Sequence, residues 1–131
     1  MGILPMIEFY DRTSYWLFIF EIPHIRGKEL LSAITIRLSG VYPGNINDCN
    51  IQIRKNGSKK GSHLVFVLKQ NAGKTMLPLF PLFALKHYSR KTANVLYVHK
   101  NWLDYVRIEN GAIISSTVKA RTEPLTGNDI V

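Results

Sequence analysis

Hydrophobic and polar positions along this chain alternate between two periods. Residues 15–22, "YWLFIFEI", form a dense aromatic and β-branched run closed by Pro23, the signature of a buried strand. The period then changes: in residues 27–40, "GKELLSAITIRLSG", Leu30, Leu31, Ile34, Leu38 and Val41 recur at three- and four-residue steps. That spacing predicts one apolar helix face packed on a sheet, with Lys28, Glu29, Ser32 and Arg37 turned elsewhere. Gly40 and "YPGN" supply its stop. Short strands follow at 51–54 and 64–68, around "KNGSKKGS". Asn56-Gly57 suits a tight turn, but the connector exceeds two residues, so a loose, exposed tip is expected.

Beyond the proline-interrupted residues 76–88, read as a short helix from about Pro81, a second β block begins. Strands at 94–99, 102–108 and 112–119 are divided by turns at Lys100-Asn101 and Asn110-Gly111, the pattern of an antiparallel meander. The expectation is an α+β fold. A strand-helix-strand-strand subdomain spans 1–75; a helix, the meander and a polar tail span 76–131. The two either stand apart or merge into one compact domain.

Composition narrows the class. A chain of 131 residues, 46% hydrophobic and 20% charged, has the balance of a globular protein. Cys49 is the single cysteine, which rules out an internal disulfide and favours a reducing compartment. The most apolar run, residues 76–85, is broken by Pro78 and Pro81 and falls well short of the ~20 residues a spanning helix needs. With no basic signal region at the start, a cytoplasmic location is expected.

The loop "QNAGKTM" at 70–76 follows a strand-like run and ends like a phosphate-binding loop. The pattern requires a glycine where Leu68 stands, and prolines interrupt the helix that should start at the lysine. An ordinary loop is the better reading, and no cofactor is expected. His24, His63, His87 and His99 show no ligand spacing, so no metal site is expected either. Asp11, Glu21, Asp48 and Asp104 show no pairing for acid–base work. Two of them converging in a pocket would point to a small hydrolase or nuclease; without that, the chain is read as non-catalytic.

Charge is the strongest compositional signal, with 17 basic against 9 acidic side chains and a net +8. The excess is clustered. Arg54, Lys55, Lys59 and Lys60 surround the predicted hairpin tip, and Lys86, Arg90 and Lys91 form a second group with His87 and Lys100. These are the candidate anion- or partner-binding residues, suited to phosphate backbones, lipid headgroups or an acidic protein surface. Solvated turns account for them equally well. Trp16, Phe18, Phe20, Phe80 and Phe83 lie within apolar runs, as core residues do, rather than beside the lysines as stacking platforms.

The element order resembles part of the actin-like cytoplasmic platform proteins of type IV pilus and type II secretion machines, the pilus M and secretion L families. The resemblance runs through "FEIPHIRGKEL", a strand and proline turn leading into a helix that ends before "YPG". It continues through "VLYVHKNWLDYVRIENGAIISSTV", similar to the meander holding that family's second phosphate segment, with Gly111 at its second turn. Where nucleotide-binding members carry Asp-x-Gly, this chain has His99-Lys100-Asn101-Trp102, a departure that leans toward the degenerate secretion L domain. The resemblance implies a non-catalytic scaffold at the inner face of the membrane, with an assembly ATPase or another machine subunit as partner. Its basic clusters would face an acidic partner or anionic lipid. The alternative is a basic nucleic-acid-binding protein using the 54–60 hairpin.

Overall fold

The computed structural model describes residues 9, 11–23, 25–69 and 79–120. A 3-10 turn at Arg12–Ser14 leads into β1 (Tyr15–Glu21), then α1 (Gly27–Val41), β2 (Cys49–Lys55) and β3 (Ser62–Lys69). After α2 (Phe80–His87) come β4 (Ala93–Val98), β5 (Trp102–Glu109) and β6 (Ala112–Ala120). The fold is α+β, with two antiparallel three-stranded sheets ordered β1-β3-β2 and β4-β5-β6. In the first sheet β1 and β2 both run antiparallel to β3, so the β1–α1–β2 connection passes over the strand between them.

β3 carries the core because side chains alternate across a strand. Val65 and Val67 face α1 and pack with Ile34, Leu38 and Ile22. Leu64, Phe66 and Leu68 face the other way, into a cluster with Phe80, Ala84, Leu85, Val106, Ile108 and Ile113. One hydrophobic core therefore joins strands from both predicted halves. α2 starts where Pro81 tolerates the first turn, because the amide that proline lacks has no intrahelical acceptor there.

Three expectations need correction. Leu31 and Val41 are 51% and 54% exposed, off the buried face of α1. Over the three-stranded sheet the fully buried stripe is Ile34 and Leu38, with Leu30 and Ala33 half-buried beside it, and Tyr42 and Ile46 pack at the C-terminal end. β1 is an edge strand rather than a buried one: Trp16 stands 44% exposed, in a stacked row with Phe18 and Phe20. Phe83 is exposed too.

The third correction concerns the β2–β3 tip, which is docked rather than loose. Asn56 is fully buried; its Oδ1 accepts from Ile113 N at 2.7 Å and its Nδ2 donates to Ile113 O at 2.8 Å. β6 is an edge strand, and Asn56 acts as one rung of the missing neighbour, beside the bulge at Arg107/Ile108. Ser58 Oγ donates to Asn110 O, and Gly57 lies so close that a Cβ would meet Gly111 O at 1.8 Å. Only glycine fits there.

Candidate anion-binding groove

Docking the tip gives the first basic cluster a fixed shape. Between the start of α1 and the β2–β3 connection lies a groove of about 900 Å³. Ile22, Ile25, Leu30 and Ile53 form its buried or half-buried apolar floor. Arg26, Arg54, Lys55, Lys59 and Lys60 supply its exposed cations, with His63 also lining it and no acidic side chain among the described residues. Glu21 sits at the margin, its Oε1 3.1 Å from Lys59 Nζ. The remaining cations are held by no ion pair among the described residues. Arg54 folds back so that Nη1 donates to Ile53 O at 3.1 Å, which keeps the guanidinium at the strand edge.

The four residues of the first predicted cluster thus meet in one place. Arg26, unnoticed in the sequence, joins them because Gly27 turns the chain at φ +60° into α1. Of the second cluster, Lys86 sits exposed in the last turn of α2, where a cation complements the helix dipole. The Arg90–Lys91 backbone comes against the β5–β6 turn: Lys91 O accepts from Gly111 N at 3.0 Å. That same turn holds Ser58, so the chain brings both basic groups to adjoining turns. None of Lys86, Arg90 and Lys91 lines the groove itself.

A second polar feature lies in the core. Asp104 is fully buried, with Oδ2 3.5 Å from Arg12 Nε, and neither carboxylate oxygen receives a hydrogen bond. Arg12 donates from Nη1 to Tyr15 O at 2.8 Å and lies over the Tyr15 ring. Ser116 Oγ is also buried without a hydrogen-bond partner among the described residues. Burial pushes the Asp104 carboxyl up to about 6 against the pull of Arg12. Burial, with the Asp104 charge beside it, raises the Tyr15 phenol. Asp11 is exposed and capped by Thr13, whose backbone N–H and hydroxyl both donate to it and lower its pKa.

Of the four carboxylates, Glu21 faces Lys59 and Asp48 closes a 3-10 turn at Ile46–Asp48. Asp104 lies sealed beside Arg12, the chain neighbour of the exposed Asp11. This is a buried ion pair rather than an open acid–base dyad. Among the described residues no group of three potential metal ligands gathers, and no helix is long and apolar enough to cross a membrane. The 70–76 loop, His24 and the polar tail lie outside the described residues.

The β4–β5 turn is closed by rings. His99 stacks on Trp102 with centroids 4.3 Å apart and planes 11° from parallel. His99 N donates to Trp102 O at 2.9 Å, and Nδ1 accepts from Asn101 N at 3.1 Å. No family model, curated protein or solved structure matches the chain.

Proposed function

We propose that this chain is a non-catalytic interaction domain of a membrane-associated secretion or pilus assembly, docking a partner subunit through the basic groove. One observation carries the reading: exposed cations surround a concave apolar floor, and Lys59 alone among them has an ion-pair partner among the described residues. Surface charge arranged this way steers a complementary partner into register. The β4–β5 turn is filled by the stacked rings of His99 and Trp102 and supports the scaffold role, if the resemblance to the platform proteins' Asp-x-Gly segment drawn from the sequence holds.

The decisive experiment is pairwise binding against each subunit of such a machine, with magnesium–ATP titrated in parallel. Saturable binding to one subunit, abolished by Lys55→Glu with Lys60→Glu, and no heat from ATP are expected. A clean null against every subunit, or ATP turnover, overturns the proposal. Nucleic acid is the second reading, favoured by the gathering of Arg54, Lys55, Lys59 and Lys60 at one tip. It requires affinity that falls with salt at a slope of about −0.9 per phosphate contacted on duplex.

A further inference from the structure

The geometry points to a particular occupant: an acidic, amphipathic peptide segment of the partner, with carboxylates on the groove's cations and an apolar side chain on its floor. This rests on the groove being the docking surface proposed above, and adds what that surface selects.

The floor decides between polyanions. Phosphate backbones and glutamate runs satisfy Arg26, Arg54, Lys55 and Lys60 alike. Neither a phosphate nor a sugar, however, has a reason to cover the half-buried Ile25, Leu30 and Ile53. An isoleucine or leucine side chain does, because covering apolar surface removes it from water. Sequence-tolerant single-strand binding relies on aromatic platforms. Among the described residues no phenylalanine, tyrosine or tryptophan lines this groove; Trp16, Phe18 and Phe20 run along β1 instead, with Phe18 and Phe20 half-buried against the core. A lipid headgroup layer is planar and would leave a concave floor unfilled. Charge complementarity together with an apolar contact therefore favours a protein segment in which acidic residues flank an aliphatic one.

The test is fluorescence anisotropy with four probes: a labelled glutamate peptide interrupted by leucines, its leucine-free counterpart, a labelled oligothymidylate, and phosphatidylcholine–phosphatidylserine vesicles. The leucine-bearing peptide should bind about tenfold tighter than the leucine-free one, the factor that burying roughly half of one leucine side chain supplies. Lys55→Glu with Lys60→Glu should abolish binding of both peptides. Both side chains are exposed, so thermal melting should be unchanged and the loss assignable to the groove. Ile25→Ala should weaken the leucine-bearing peptide alone. Equal affinity for the two peptides, or tighter binding of oligothymidylate or vesicles that the charge reversal abolishes, overturns the amphipathic segment and leaves the groove an anion-docking surface. No binding by any probe, or binding that survives the charge reversal, overturns both proposals.

Discussion

Asn56 and Asp104 are both fully buried polar residues, and they are buried on opposite terms. Asn56 is neutral, and its amide is matched to the N–H and C=O of Ile113 and to Ser62 Oγ at 2.9 Å. Asp104 carries a charge whose nearest cation is 3.5 Å away and whose oxygens accept no hydrogen bond. The amide restores what desolvation removes and joins the two sheets. The carboxylate keeps most of its desolvation cost, and so its proton affinity rises. Burial of a polar group is therefore informative only when its partners are counted.

Removing one member of each set should separate the two cases. Asp104→Ala leaves Arg12 as a buried, uncompensated cation and should cost about 3–5 kcal/mol near neutral pH, read by urea unfolding. Asn56→Ala should cost about 2–4 kcal/mol, in the lower part of the range that stranding two backbone groups of Ile113 at roughly 1–3 kcal/mol each allows, because water reaches an edge strand once the amide is gone. A cost below 1 kcal/mol at Asn56 would mean the tip does not dock as described.

The pH dependence sharpens the contrast. Asp104 titrates near 6 in the fold against 3.8 for a free aspartate, so the folded state takes up the proton first. Its contribution is fully present below the lower value and is lost as pH rises through the upper. The loss is on the order of 3 kcal/mol across that window. Asp11 shifts the opposite way, and its contribution is lost as pH falls through its lowered value. The fall between about pH 4 and 6 should persist in Asn56→Ala and vanish in Asp104→Ala. The smallest effect belongs to the double variant Arg12→Met, Asp104→Leu. It should match or exceed wild-type stability, because apolar pairs commonly replace buried ion pairs without loss. A double variant as weak as Asp104→Ala alone would show that the pair does more than fill space.

The periodicities in the sequence made the six strands and two helices legible, because local backbone preference and side-chain alternation act within a few residues. The β1-β3-β2 order was not legible. It depends on β1 meeting a strand that lies beyond both α1 and β2. The helix period correctly chose Ile34 and Leu38 but extended the buried face to Leu31 and Val41, since a repeat says nothing about the width of the surface beneath it. For the groove, the run of lysines at the tip was visible and its shape was not: Arg26 and the apolar floor come from other elements. Asn56-Gly57 read as part of a loose, exposed tip and Asn110-Gly111 as a tight hairpin turn, yet the first asparagine is buried and the second exposed. That difference arises from contact between segments some fifty positions apart, as in the 57-residue span from Asn56 to Ile113.

The position of β3 between β1 and β2 also has a consequence during synthesis. The ribosome releases β1 with its row of Trp16, Phe18 and Phe20, yet its pairing partner begins only at Ser62. At roughly 5–20 residues per second, the nascent chain carries an unpaired aromatic strand for several seconds before β3 emerges. Over that interval α1 and the segment after it, where Tyr42 meets Trp16, are left to shield those rings, and chaperone demand should be greatest just before β3 is translated.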